Sequence, residues 1–235
     1  MKVKEVDDFR ALEDEWKYLL KNNMLGDNIF LTWEWLYIWW KHFGKGRRLL
    51  TLKVEDENEA LAIAPLMLSE YRLPGFGRVR KIEFLGTHHS DYGNFIISKK
   101  ENECLKLIIG YLKDNVDWDW IELKEVPEPS KSQLFLETAF SDFSSELKMK
   151  KRVCELCPYV PLPNSFADLM KGLDGKTRKN LNYYLKRIKG KHDVELERYD
   201  EAGFSVKEGM KIFLKLHRKR WLLEGHLGAF EGKLV

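Results

Sequence analysis

The spacing of apolar residues along this chain switches repeatedly between the repeat of a helix and the alternation of a strand. The predicted strands cover residues 3–6, 49–54, 60–68, 79–85, 118–123, 146–153 and 194–198. The predicted helices cover residues around 9–19, 33–43, 101–115, 133–140, 166–170, 175–190 and 206–224. Residues 95–97 form either a further strand or an extension of the strand before them. This order predicts an α/β fold, with a mixed central sheet flanked by helices.

A proline-rich segment interrupts the pattern. The stretch CPYVPLPNS, residues 157–165, contains three prolines, which break both helices and strands. We therefore predict an N-terminal domain at 1–156, a linker at 157–165 and the start of a second domain at 166–235. In the second part the order helix, helix, strand begins again.

Composition limits the class of protein. With 44% hydrophobic and 33% charged residues among 235, the chain is typical of a soluble globular protein. No apolar run approaches the roughly 20 residues that span a bilayer, and the N-terminus lacks the apolar core of a secretory signal. Three cysteines, an odd number, argue against a disulfide framework and favour a cytoplasmic location.

The predicted helix at 175–190 is strongly basic. Residues 171–192 contain eight Lys and Arg against one acid, whereas the whole chain has a net charge of only +3. Lys176, Arg178 and Lys179 cluster at the helix N-terminus, where the helix dipole disfavours cations. Together with free backbone N–H groups they predict a site for an anion, either the phosphates of coenzyme A or an RNA backbone. The alternative is a solvated charged face.

A polar loop follows the predicted strand 79–85. The sequence GTHHSDYGNF places two histidines, a serine, an aspartate and a tyrosine together. Asp91 and Tyr92 are candidates for contact with a polar substrate at the sheet edge. A hydrogen-bonded turn is the alternative.

Three further features carry weaker predictions. In the last helix His217 lies on an apolar stripe, so it is either a buried core residue or a base of near-neutral pKa that takes a proton from an amine. RLPGFG, residues 72–77, resembles a phosphate-binding loop, but its place between two strands favours a turn. Cys154 and Cys157 have the spacing of a metal or redox motif, but without partner ligands they are predicted to be core side chains.

The order of several motifs resembles a known family. These are FLTWEWLYIWWKHFG, ALAIAPL, IEFLGTHHSDYGNFII, DWDWIELKEVP, YVPLP, LDGKTRKNLNYYLKRI and LHRKRWLLEGHLGAF. In this order they resemble GNAT-superfamily proteins of the cellulose-biosynthesis CelD-like acetyltransferase type. That group is similar to the Fem-type aminoacyltransferases, which contain two GNAT-like domains in tandem.

The resemblance implies an N-acyltransferase that moves an acyl group, most simply acetyl from acetyl-CoA as co-substrate, to an amine. It implies no metal. It matches Asp91 and Tyr92 to the family's DY segment, and Arg178 to the Arg that opens the basic helix. The family's H-x-x-R-W-x-x-x-G stretch corresponds to His217, Arg220, Trp221 and Gly225, which makes His217 the candidate catalytic base and Trp221 a substrate contact.

The resemblance also implies that the second GNAT-like domain is incomplete. The chain ends at EGKLV, before the strands and Gly-rich loop that hold the acyl donor in such domains. We therefore expect this chain alone to be inactive and not to bind acyl-CoA, and a longer chain with a complete second domain to bind it.

Two other functions stay open. The basic helix could bind RNA, including the tRNA that Fem-type relatives use. The chain could also be a non-catalytic interaction module that pairs with another chain as a dimer.

Overall fold

The computed structural model describes residues 1–22, 28–75, 77–128, 131–195, 198, 203, 205–228 and 230. The chain divides into two compact units, Met1–Cys157 and Pro158–Val235. Six strands and seven α-helices lie in the described residues, so the protein is mixed α/β.

The first unit is built on one sheet. Its strands are β1 (Lys2–Val6), β2 (Arg47–Asp56), β3 (Glu59–Leu73), β4 (Gly77–Phe84), β5 (Ile96–Ile97) and β6 (Trp120–Glu122). The order in space is β1-β2-β3-β4-β6, and β5 pairs separately with β3. Every pairing is antiparallel except that of β4 with β6, which is parallel. The prediction of a mixed central sheet is confirmed.

Helices occur in both units. The first unit contains α1 (Glu13–Asn22), α2 (Trp33–Phe43), α3 (Glu101–Asn115) and α4 (Lys131–Ser141). The second contains α5 (Phe166–Gly172), α6 (Gly175–Lys191) and α7 (Val206–Leu223). None of the helices in the described residues is both long and apolar enough to cross a membrane.

Local sequence signals set the ends of these elements. The Thr32 hydroxyl accepts a hydrogen bond from the Trp35 backbone N–H and so begins α2, as predicted. Between β2 and β3, Glu57 and Asn58 have φ angles of 46° and 71°, the left-handed conformation that a two-residue hairpin turn requires.

Apolar side chains are buried on both faces of the sheet. The face covered by α3, here called the α3 face, packs Leu50, Leu52, Leu66, Ile82 and Phe84 against Leu105, Ile108 and Leu112. The opposite face, here called the α1–α2 face, packs Ile63 and Met67 against Trp16, Leu19, Leu36 and Trp39. Burial on both faces explains why β3 is apolar over residues 60–68, whereas residues 70–73 at its end are partly or fully exposed.

Two strand predictions are wrong. Residues 118–123 carry few charges, a pattern that predicts a strand in the middle of the sheet, but β6 lies at one end of the strand order and pairs only with β4 among the described strands. Its apolar residue Ile121 and the following Leu123 pack against the α3-face core. Residues 147–153 form no strand and have no strand partner among the described residues, and Met149 and Val153 are exposed. The predicted strand 194–198 lies partly outside the described residues.

The weaker motifs have clear outcomes. Leu73 pairs with Gly77 across β3 and β4, so residues 72–77 connect two strands, and the prediction of a turn is confirmed. The prediction that Cys154 and Cys157 are core residues is wrong, because both are exposed. Both cysteines follow residues 147–153, which pair with no described strand.

Candidate functional site

The candidate site in the first unit lies beside β3, between the point where β4 stops pairing with that strand and the point where β5 begins to pair with it. Phe84, the last residue of β4, pairs with Leu66, and the Leu85 backbone N–H still donates to the Pro65 carbonyl at 2.8 Å. The chain then leaves as a loop over residues 86–95, and β5 resumes pairing with the same strand at Ile96. We call residues 86–95 the break loop.

Side chains of α2 hold the break loop in place. The Trp35 indole N–H donates to the Ser90 hydroxyl at 2.8 Å, and the Trp39 indole N–H donates to Nδ1 of His89 at 3.1 Å. The His89 ring also stacks on Phe43, with centroids 4.5 Å apart. Ser90 and His89 are therefore committed to anchoring the loop.

The backbone of the break loop is tightly turned. Gly86 has a φ of 86°, and a Cβ there would lie 2.1 Å from the Ser90 hydroxyl oxygen, so only glycine fits. Tyr92 also has a left-handed φ, 57°, and its carbonyl accepts from the Asn28 side-chain amide at 2.9 Å. This conformation leaves the neighbouring Asp91 side chain exposed.

The loop enters the gap where β4 and β6 separate. The parallel ladder spans only three residue pairs and ends at Glu83 and Glu122. Beyond the ladder, Gly93 of the break loop lies close to the segment that follows β6 and to the end of β4. A Cβ at Gly93 would be 3.0 Å from the Lys124 carbonyl and 2.8 Å from the Phe84 ring. The break loop and residues 123–125 are thus neighbours.

Two further carboxylates, those of Asp91 and Glu155, are near enough to Glu125 for their charges to act on it. Burial raises the pKa of Glu125, and the charges of Asp91 and Glu155 raise that pKa further, while His88 opposes them. Glu125 itself has a φ of 61°, a conformation that costs energy for a residue with a side chain. The negative charge around Glu125 favours the protonated form of its carboxyl group.

A buried charged cluster lies beside the gap on the α1–α2 face. The Lys81 ammonium is 2.7 Å from Glu83 and 3.0 Å from Glu122, and the Tyr71 hydroxyl donates to Glu83 at 3.1 Å. Burial alone lowers the pKa of Lys81, but its bonds to Glu83 and Glu122 raise it overall. The ammonium therefore stays charged and orients both carboxylates.

Sequence reasoning missed Glu125, Lys81 and Glu83. The last two alternate with Ile82 and Phe84, a pattern that places charges toward solvent, yet Lys81 is 7% exposed and Glu83 1%. The partners that bury them come from β3 and β6, far away in sequence. No short-range pattern marks Glu125.

In the second unit, the predicted anion site at the start of α6 differs from the expectation in one respect. Its backbone amides are not free: those of Lys176 and Thr177 donate to the Asp174 carboxylate at 2.9 and 3.0 Å. The side chains of Lys176, Arg178 and Lys179 are exposed. The prediction of an anion site there rests on these side chains alone.

His217 is engaged within α7. Its Nε2 accepts from the Trp221 indole N–H at 2.8 Å, and its ring lies 4.8 Å from that of Phe230. A base role for His217 therefore requires the Trp221 bond to break first. Gly225, with a φ of 77°, ends α7, which accounts for a glycine at that position.

The predicted site residues fall in both units. Asp91 and Tyr92 belong to the first unit, whereas Lys176, Arg178, Lys179, His217, Arg220 and Trp221 belong to the second. Within the described ranges, no group of three or more His, Cys, Asp or Glu side chains is arranged to hold a metal ion.

Comparison of the chain with models of known protein families finds no match, and neither does comparison with curated protein sequences.

Proposed function

We propose that the protein is an acyltransferase of the GNAT type that moves an acyl group from acyl-CoA, in the simplest case acetyl-CoA, to an amine. The observation that supports this proposal is that the parallel β4–β6 ladder ends at Glu83 and Glu122 beside a polar loop, whose Gly93 lies against the Phe84 ring and the Lys124 carbonyl. In GNAT-like folds the donor carbonyl lies between separated strands, where a backbone N–H polarises it. The first unit then corresponds to the first domain of a tandem pair.

The charge of the gap suits an amine acceptor. An amine is protonated near neutral pH, and the carboxylates of Asp91, Glu125 and Glu155 attract its ammonium form. Acyl transfer requires this ammonium to lose a proton before its nitrogen can attack. Glu125 is the best-placed base in this unit, because its raised pKa makes it a better proton acceptor than an ordinary carboxylate.

The roles of the second unit stay as the resemblance implies. Within the second unit, the resemblance gives Lys176, Arg178 and Lys179 the role of phosphate contacts through their side chains and Trp221 that of a substrate contact, and the proposal for the gap in the first unit does not use them. His217 is an alternative base, available only without its bond from Trp221. Three cysteines without a disulfide support a cytoplasmic location.

The test follows release of the CoA thiol from acetyl-CoA in the presence of a panel of primary amines, with this chain and with a chain extended to carry a complete second domain in parallel. We expect amine-dependent release by at least one of them. Glu125→Gln should lower kcat about 100-fold, the usual contribution of a general base, and Asp91→Asn should mainly raise KM for the amine.

The matched control is Glu57→Gln, which alters another exposed glutamate with a left-handed φ, in the β2–β3 turn. It should leave kcat and KM unchanged. The proposal is contradicted if neither chain releases CoA with any amine, or if the Glu125 and Glu57 variants behave alike.

A second candidate function is RNA binding by α6. The described side chains of α6 are all exposed, and Tyr183 and Tyr184 form an exposed aromatic pair with centroids 5.4 Å apart. Basic side chains beside exposed aromatic rings are the combination that binds single-stranded RNA. We expect affinity for a single-stranded RNA to fall steeply between about 50 and 200 mM salt. Alanine at Lys176, Arg178 and Lys179 should abolish it, and unchanged affinity would exclude this function.

A further inference from the structure

The α3 face of the sheet contains a cleft lined by arginines. Its volume is about 450 Å³, and the charged side chains that line it are Arg47, Arg48, Arg78, Arg80, Glu70 and Asp117. This size falls within the range of about 300–1,000 Å³ typical of small-molecule sites. All of these residues belong to the first unit.

Strand register explains why the arginines converge. Arg48 pairs with Leu68, and Arg80 pairs with Glu70 two residues further along β3. Directly paired residues point to the same face of a sheet, and Leu68 belongs to the α3-face core. Side chains from β2, β3 and β4 therefore project side by side at this end of the sheet.

Most of these arginines are held by carboxylates. Arg78 forms an ion pair with Glu70, and Arg80 forms one with Asp117. Arg48 contacts Glu5 on β1 at 2.5 Å, and Arg80 also lies 3.5 Å from Asp119. The Arg47 guanidinium donates to a neutral group, the Phe43 carbonyl, at 2.5 Å, and forms no ion pair with a carboxylate in the part of the chain that the structure describes.

These ion pairs are weak enough for a ligand to replace. The Arg78 side chain is 65% exposed and that of Asp117 is 80% exposed, and ion pairs between exposed side chains contribute little to stability because water screens them. A phosphate group carries more charge than a carboxylate and accepts paired hydrogen bonds from the planar guanidinium group. The existing pairs keep the guanidinium groups oriented toward the cleft in the absence of ligand.

We propose that this cleft binds a small molecule through a phosphate monoester or diphosphate group, held by Arg48, Arg78 and Arg80 with Arg47 at the rim. Glu70 acts as the internal competitor of that ligand, because it occupies the Arg78 guanidinium until the phosphate displaces it. The inference uses no residue of the proposed acyl-transfer site and does not depend on that function.

The test is calorimetric titration of the whole chain with inorganic pyrophosphate in low-salt buffer. We expect saturable binding that added salt weakens. Arg78→Gln and Arg48→Gln should each weaken binding about tenfold, as expected for loss of a charge-assisted hydrogen bond. Glu70→Gln should instead strengthen binding several-fold, because it removes the competing carboxylate.

The matched control is Arg152→Gln, which removes an exposed arginine of the same unit outside the cleft and should leave affinity unchanged. Thermal unfolding of each variant establishes that it is folded. The proposal is overturned if pyrophosphate does not bind, or if Arg152→Gln and Arg78→Gln weaken it equally. It is also overturned if Glu70→Gln weakens binding, since that result would mean that Glu70 positions the Arg78 guanidinium for the ligand and does not compete with it.

Discussion

Apolar helix faces are buried in the first unit and exposed in the second. In the first unit the inward residues of α1, α2 and α3 are almost completely buried, for example Leu19 and Ile108. In the second unit α6 and α7 carry the same kind of apolar stripe, but no described side chain of either helix is buried. Leu185 of α6 is 41% exposed and Phe213 of α7 is 46% exposed.

This difference separates the causes of helix formation from the causes of burial. Both α6 and α7 have strong local start signals: the Asp174 cap, and a capping box between Ser205 and Glu208. Such signals need only residues close in sequence. Burial needs a second layer, and in the first unit the sheet provides it. Amphipathic spacing thus predicts the helix and its apolar face, but not what covers that face.

The largest expected effect comes from comparing the same change, leucine to alanine, at one position in each unit. Leu52→Ala removes a fully buried side chain from the α3-face core and should destabilise the first unit by about 2–5 kcal/mol. Leu185→Ala alters an exposed residue of α6 and should change stability by less than about 0.5 kcal/mol. Urea unfolding followed by circular dichroism measures both. A cost above 2 kcal/mol for Leu185→Ala would show that the α6 face is covered in solution.

The next effect concerns a buried ion cluster in the first unit. Glu55 is in contact with Lys4 and lies 3.1 Å from Lys2, and these bonds, that from Lys4 above all, lower its pKa from 4.5 to about 2. The stability that this carboxylate contributes is present above pH 4.5 and is lost as the pH falls toward 2. Glu55→Gln should cost about 2 kcal/mol at pH 7 and little at pH 2. Urea unfolding at the two pH values tests this, and an equal cost at both would contradict it.

A third prediction compares helix caps in the two units. Removing the cap with Asp174→Ala should lower the helix content of the second unit, because about 1 kcal/mol is large for a helix without tertiary cover. Thr32→Ala should cost the first unit a similar free energy without unwinding α2, whose apolar face is buried. Amide hydrogen exchange of α6 and α2 measures the contrast. If both helices respond alike, their tertiary support is the same.

The smallest effect concerns Glu125. Its raised pKa means that ionisation disfavours the folded state near neutral pH, a cost that disappears as the pH falls through the folded-state value. Glu125→Gln should therefore raise the melting temperature slightly at pH 7, by about 1 °C or less, and should have no effect at pH 4. A lower melting temperature at pH 7 would show that the carboxylate stabilises the fold.

Local patterns predicted much of the fold. Residues 101–115 have the apolar spacing of one helix face, and the structure has α3 over the same residues. The position of β6 was not predictable, because a short apolar strand reads alike in the centre of a sheet and at its end. Likewise, nothing in residues 146–153 shows that no strand pairs with them.

The candidate site was predicted only in part. The sequence placed Asp91 in a polar loop after a buried strand, and the break loop occupies that position. The charges of Asp91 and Glu155 act on Glu125 only in the folded chain, because Glu125 and Glu155 each lie more than thirty residues from Asp91 in the sequence. The burial of Lys81 and Glu83 was not predictable, because alternation shows which residues share a face but not whether that face is covered.

The most direct test of the proposed acceptor site is an NMR titration of the Glu125 side-chain carboxyl carbon. The account predicts a midpoint above 4.5, which falls in Asp91→Asn and falls again when a primary amine is added. A midpoint at or below 4.5 that neither the substitution nor the amine alters would contradict the existence of a carboxylate site for an amine at this gap.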